Sequence, residues 1–143
     1  MTIQLTRTYR FSASHRLHVD SLSEEENRKL FGKCNNPFGH GHNYVLSITV
    51  RGPINAETGI LIPLSDLDAF IQQEIVSRFD HRYLNVELPE FSSQPATTEN
   101  MALIIRDRLR ARWNEYFGSG APVLAQINVE ETKRNSIELA VQN

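Results

Sequence analysis

The sequence predicts an α+β protein in which two helices pack on one face of an antiparallel sheet. Three observations lead there. Apolar and polar residues alternate at both ends of the chain, two stretches between them carry apolar residues at helical spacing, and the strands fall in neighbouring pairs before and after those helices.

From Ile3 to His15 the odd positions Ile3, Leu5, Tyr9, Phe11, Ala13 and His15 make the inward face of a long first strand, interrupted only by Arg7. Gln4, Thr6, Thr8, Arg10, Ser12 and Ser14 lie on the other side. An insertion with structure of its own runs from about Arg16 to Gly39. In it Ser23 with Glu26 is a capping box and Gly32 a stop, so a short helix is expected over about Glu24 to Phe31, placed to cover the candidate site. A second strand begins at His40, with His40, His42, Tyr44, Leu46, Ile48 and Val50 facing inward. The segment GPINAETG is turn chemistry, and Gly59 to Ile62 is expected to pair back as a short strand that closes a hairpin.

Ser65 with Asp68 opens a helix whose stripe is Leu67, Phe70, Ile71, Ile75 and Phe79, running out near Asp80. A loop with two prolines, Val86 to Ala96, leads to Thr97-Thr98-Glu99-Asn100. There a hydroxyl caps a second helix with the stripe Met101, Ile105, Leu109 and Trp113 and with Gly118 as its stop. After a Gly/Ser/Pro linker, Val123, Ala125, Ile127 and Val129 face inward on another strand. Thr132 to Asn135 turns, and Ile137, Leu139 and Val141 alternate in the last strand. No repeat or low-complexity tract breaks this order, and residues 1–143 read as one domain.

Composition bounds the function. With 143 residues, 40% hydrophobic and 22% charged, and a net charge of -2, the chain has the make-up of an ordinary globular domain, without the basic surplus of a nucleic-acid or membrane-surface binder. The run RDRLRAR, Arg106 to Arg112, sits in the second helical pattern and reads as a solvated face. A single cysteine makes no intramolecular disulfide, no stretch is long enough to span a bilayer, and the N-terminus has no apolar signal region; a cytoplasmic setting is expected.

The stretch GKCNNPFGHGHNY, Gly32 to Tyr44, concentrates the chemistry. His40 and His42, two residues apart on one strand, project to the same side and can share a cation, and imidazole is a common zinc ligand. His15 has the same inward parity on the first strand and is the natural third ligand. His18 lies off that parity and is expected in a loop or on the surface. Singly, each histidine reads as a core imidazole satisfied by a carbonyl or a water, and Cys34 as a small buried hydrophobe; gathered within nine residues and beside glycines, Cys34, His40 and His42 favour a site. Asp80-His81 falls at a helix C-terminus, where dipole and carboxylate both favour a charged imidazole, although a capping pair without chemistry has the same pattern. Glu99 suits a first helical turn by dipole alone. Glu131 continues the inward parity of its strand while Glu130 faces away, and a carboxylate at the end of an apolar face needs a partner or solvent.

Together FSASHRL (Phe11 to Leu17), CNNPFGHGHNY (Cys34 to Tyr44), DHRYLN (Asp80 to Asn85), TTEN (Thr97 to Asn100) and Glu131-Thr132 resemble the 6-pyruvoyl tetrahydropterin synthase family nearly end to end and in order. The resemblance implies the tunnelling fold (T-fold), in which three subunits close a β-barrel and two trimers stack into a homohexamer with active sites between subunits. It implies Zn2+ held by His15, His40 and His42, with Cys34 as the proton-abstracting base. It makes Asp80 and His81 partners of that cysteine across a subunit boundary, and Glu99 and Glu131 residues of the pterin pocket. Five residues separate Cys34 from His40, as in the pyruvoyl-forming branch; the related 6-carboxytetrahydropterin synthases of queuosine biosynthesis have a shorter gap.

The implied reaction takes 7,8-dihydroneopterin triphosphate to 6-pyruvoyl-5,6,7,8-tetrahydropterin and triphosphate, as in tetrahydrobiopterin biosynthesis, by internal proton shifts and without an external redox cofactor. Carbons bearing hydroxyls are weak acids, which is why a Lewis acid and a thiolate base beside it suit the chemistry. Carboxylates suit the N–H edge of a pterin. The triphosphate needs cations, for which Arg10, Arg16, Lys29 and Lys33 are candidates. Two alternatives share these residues: 6-carboxytetrahydropterin synthesis from the same substrate, and a pterin-binding protein without turnover.

Overall fold

The computed structural model describes residues 1–120 and 122–141. Its strands are β1 (Ile3–His15), β2 (His40–Gly52), β3 (Arg82–Tyr83), β4 (Val123–Thr132) and β5 (Asn135–Ala140). They form one sheet in the order β3-β1-β2-β4-β5. β1 and β2 pair antiparallel along their whole length, from Ile3 opposite Gly52 to His15 opposite His40. β2 pairs antiparallel with β4, and β4 with β5. The long pairing follows from the alternation in both strands, since a slip of one residue would turn every inward side chain outward.

α1 (Glu24–Phe31) has the expected ends. Ser23 Oγ accepts from the Glu26 amide, and Glu26 returns the bond to the Ser23 amide. α2 (Leu64–Ile71) runs on through a π turn (Gln72–Val76) into α3 (Ser77–Phe79), and Leu67, Phe70, Ile71, Ile75 and Phe79 are all buried. A single turn, α4 (Leu84–Glu87), follows β3 and buries Leu84. α5 (Thr98–Phe117) is capped by Thr97 and stopped by Gly118, and it packs on β4 and β5 through its buried stripe. The core therefore lies between the helices and one sheet face, with Phe11, Tyr44, Leu46, Ile48, Ile127 and Val129 supplied by the strands.

Several expectations give way to tertiary contacts. Gly59 to Ile62 forms no strand: Asn55 accepts the amides of Glu57 and Thr58 and donates its own N–H to Ile60, holding the segment as a loop. Ser65 and Asp68 form no capping box. Asp68 is instead gripped by Arg7, through Nε at 2.6 Å and an Nη at 2.9 Å, and by Tyr9 Oη at 2.8 Å, which explains how Arg7 is accommodated on the inward parity of β1. The arginine run is only partly a solvated face, because Arg108 and Arg112 ion-pair with the buried carboxylate of Glu74 in the π turn.

Two irregularities interrupt β4. Thr49 pairs with Gln126 but Val50 with Leu124, so Ala125 is the extra residue of a bulge and Leu124 is buried where Val123 was expected. Glu130 pairs with Ser136 and Thr132 with Asn135, leaving Glu131 as the extra residue of a second bulge. The linker after Gly118 passes through position 121, outside the described residues, to Pro122.

Candidate active site

Register brings the histidines together. His15 ends β1 directly opposite His40, the first residue of β2, while His42 sits opposite Ala13. His15 is fully buried, and its Nδ1 lies 2.7 Å from the Ala96 carbonyl in the loop before α5. That bond assigns the proton to Nδ1 and leaves Nε2 free as a ligand atom, the arrangement usual for metal-binding imidazoles. His15 Nε2 stands 3.1 Å from His42 Nε2, and His42 Nε2 is 3.7 Å from Cys34 Sγ. The ligand atoms of His15, Cys34 and His42 all lie within 4.8 Å of one another.

This donor set fits a metal ion. Two nitrogens bound tetrahedrally at zinc–nitrogen distances near 2.1 Å would be about 3.4 Å apart, close to the separation found. Burial pushes both imidazoles below their usual 6.5, toward the neutral form that a cation needs. His40 stands beside this group, its ring centroid 4.7 Å from that of His42 and edge-on to it.

Cys34 reaches the cluster from the 3-10 turn Gly32–Asn35 that follows α1. Its thiol is raised by burial and then by the Glu131 carboxylate. Gly39, at φ +89°, lets the chain turn into β2; a side chain there would meet the Tyr83 ring at 3.3 Å and the His15 carbonyl at 3.5 Å.

Glu131 is aimed inward by its bulge, a common device beside functional sites. Its Oε2 accepts from Thr98 Oγ1 and lies 4.0 Å from His42 Nε2. Glu99, the next residue along α5, is exposed and forms no side-chain hydrogen bond among the described residues. Thr98 is thus a site residue that sequence reasoning missed. The signal was present in TTEN, where Thr97 alone supplies the helix cap and a second, buried hydroxyl is left over. Tyr44 is another. Its ring lies 5.6 Å from that of His42, and its fully buried hydroxyl has no hydrogen-bond partner among the described residues.

Asp80 and His81 stand apart from Cys34. Asp80 Oδ1 accepts the Ser12 amide at 2.9 Å, and the His81 amide donates to the Ser12 carbonyl at 2.6 Å, locking the pair to β1 beside β3. His81 has φ +60°, uncommon for a residue with a side chain, and its imidazole is 83% exposed with Nδ1 3.0 Å from Asp80 Oδ2. No hydrogen bond or shared cavity joins it to Cys34 among the described residues. Of the candidate triphosphate cations, Arg16 and Lys33 line one cavity of about 390 Å³ together with His18 and His40, whereas Arg10 and Lys29 do not.

A five-stranded sheet that gathers two histidines and a cysteine beside a carboxylate at one end defines a site able to hold a metal ion. Comparison with known proteins narrows it. The family described as 6-pyruvoyl tetrahydropterin synthase matches residues 4–141, and the chain belongs to that family. It is 44% identical over 134 residues to a 6-pyruvoyl tetrahydrobiopterin synthase from Homo sapiens, covering 94% of this chain and 88% of the relative. Against the protein of the same name from Drosophila melanogaster it is 43% identical over 133 residues, covering 93% and 76%. The solved Caenorhabditis elegans 6-pyruvoyl tetrahydropterin synthase superposes with a TM-score of 0.84 at 33% identity, over 98% of this chain and 96% of that one. A 6-carboxy-5,6,7,8-tetrahydropterin synthase from Haemophilus influenzae aligns over a shorter stretch, 33% identical over 69 residues, or 46% of this chain and 48% of its own.

Proposed function

We propose that the chain is a zinc-dependent lyase converting 7,8-dihydroneopterin triphosphate to 6-pyruvoyl-5,6,7,8-tetrahydropterin and inorganic triphosphate. The observation that carries this reading is the convergence of His15, Cys34 and His42 beside Glu131, in a chain that aligns with pyruvoyl-type relatives over most of its length.

His15, His40 and His42 are the proposed zinc ligands, and Cys34, whose Sγ lies 3.7 Å from His42 Nε2, is the proposed base. When bound, the ion supplies a Lewis acid that acidifies a substrate hydroxyl and the C–H bond beside it. Cys34 Sγ accepts the proton released from that carbon and returns a proton to the neighbouring carbon as the side chain is rearranged. Because burial and Glu131 hold the thiol high, thiolate formation depends on positive charge reaching the cluster. Glu131, held by Thr98, accepts the N–H edge of the pterin, and Glu99 serves the same pocket.

Asp80 and His81 are assigned to the Cys34 of a neighbouring chain. An imidazole this exposed, yet fixed at the backbone and backed by a carboxylate, is well suited to reach into another subunit's site. A homohexamer built as a dimer of trimers and a cytoplasmic setting complete the proposal; no helix of the described chain is long and apolar enough to cross a membrane.

The test is anaerobic incubation of zinc-loaded protein with 7,8-dihydroneopterin triphosphate, with products identified by mass. A tetrahydropterin that keeps the three-carbon side chain, released together with triphosphate, is expected. A 6-carboxy product with acetaldehyde would move the chain to the carboxy-forming branch, and bound substrate without turnover would make it a pterin-binding protein.

A further inference from the structure

The helical segment that delivers Asp80 and His81 carries an irregularity that its sequence calls for. Leu67, Ile71, Ile75 and Phe79 recur at every fourth residue, and all four are fully buried. On a helix of about 3.6 residues per turn that spacing drifts by about 40° at each step, so four such residues do not stay on one face. The π turn Gln72–Val76 takes up the drift. Its amide bond runs from Ser77 back to the Gln72 carbonyl, and the Gln73 carbonyl, which an α-helical Ser77 amide would use, accepts Ser77 Oγ at 2.8 Å.

Glu74, in the middle of that turn, is only 3% exposed. Its Oε1 lies 3.3 Å from Arg112 Nε and its Oε2 3.2 Å from an Arg108 Nη, while its backbone carbonyl accepts Arg108 Nε at 2.9 Å. Both arginines come from α5, so one buried side chain ties the irregular turn to a 20-residue helix. Oε2 makes no aligned hydrogen bond among the described residues. Desolvating the carboxylate offsets much of what such a pairing returns, and apolar residues of similar volume stabilise a core as well. What the pairing supplies is placement.

The chain beyond the turn has little slack. Phe79 packs against Phe11 with 5.6 Å between ring centroids, and the Asp80 amide donates to the Val76 carbonyl at 2.9 Å. Ser12, next to Phe11, holds both the Asp80 carboxylate and the His81 amide. Removing the extra residue of the π turn would rotate everything after it by about 100° and withdraw Asp80 from the Ser12 amide. We infer that Glu74 is a positioning residue: paired with Arg108 and Arg112, it maintains the π turn and so sets where Asp80 and His81 emerge beside β1. Its functional consequence rests on the proposed role of Asp80 and His81 at a neighbouring chain's Cys34; the placement itself stands on the helix geometry.

Amide hydrogen exchange of the zinc-loaded protein, resolved to single residues, tests this in E74L and in R112Q, which weakens the same pairing from the α5 side. In E74L the Asp80 and His81 amides should exchange roughly tenfold faster or more, while the Leu46 and Ile48 amides of β2 change by less than about twofold, as a local opening does. R112Q should show the same pattern to a smaller degree, and it decides alone if E74L does not fold. An ion pair that only stabilises the fold would accelerate all slowly exchanging amides by one common factor. That result, or unchanged Asp80 and His81 amides, overturns the inference. Zinc content and KM for 7,8-dihydroneopterin triphosphate should stay at the parent's values while kcat falls. Local loosening with kcat unchanged would uphold placement by Glu74 and remove Asp80 and His81 from the reaction.

Discussion

His15 Nε2 and His42 Nε2 face each other at 3.1 Å across the end of β1 and β2, with the Nδ1 proton of His15 spent on the Ala96 carbonyl. Two acceptor nitrogens so placed repel unless a proton or a cation lies between them. The sheet register fixes this approach, and the loop before α5 fixes which nitrogen of His15 takes part.

Metal binding and the role of Cys34 can be separated. Cys34→Ala is expected to retain zinc and to lose kcat by about 10²–10⁴, the range of a lost general base. Zinc content by plasma emission and single-turnover rates read the two effects; a variant that loses its zinc would make Cys34 a ligand rather than the base.

The metal-free protein should be acid-sensitive in a particular window. His15 and His42 both have folded-state values below the usual 6.5 because of burial, so the fold holds them neutral while the unfolded chain takes up protons below about 6.5. Their contribution is fully present above that value and is lost as pH falls through the folded values. The carboxylates of Glu26, Asp68 and Glu87 are shifted down and titrate at lower pH. The urea midpoint of zinc-free protein is therefore expected to drop between pH 7.5 and 5.5, and a flat midpoint would show the imidazoles are not held neutral.

Thr98→Val removes the hydroxyl that orients Glu131 while leaving the Thr97 cap in place. Pterin affinity is expected to fall by about 1–3 kcal/mol, the usual cost of unpairing a buried acceptor, with zinc content unchanged. Unaltered affinity for 7,8-dihydroneopterin by calorimetry would detach Glu131 from the pterin.

Leu109→Ala tests the packing of α5 on the sheet. Leu109 is fully buried in the helix stripe, and its truncation is expected to cost about 2–5 kcal/mol of unfolding free energy by denaturant titration. A loss under about 1 kcal/mol would mean the stripe is not what seats α5.

Local signals were the legible ones. The ends of β1 and α1 fall where alternation and the Ser23–Glu26 box place them, because both depend on neighbours in sequence. The Ser65–Asp68 box is outcompeted by Arg7, 61 positions from Asp68, which no local rule could anticipate. β3 has two residues and exists only through its parallel pairing with Ala13 and Ser14 of β1. The inward parity of His15, His42 and Glu131 was readable, but the bulge that aims Glu131, the buried second hydroxyl at Thr98 and the pairing of Glu74 with Arg108 and Arg112 arise from packing between distant segments.

Turnover is expected to depend on a metal ion held by the group containing His15 and His42. Stepwise addition of zinc to the metal-free protein at pH 7.5, with bound zinc and 7,8-dihydroneopterin triphosphate turnover read on the same samples, tests it most directly. Both should saturate together at one zinc per chain, and H15Q and H42Q should acquire neither. Turnover by the metal-free protein, or full zinc binding by H42Q, would contradict it.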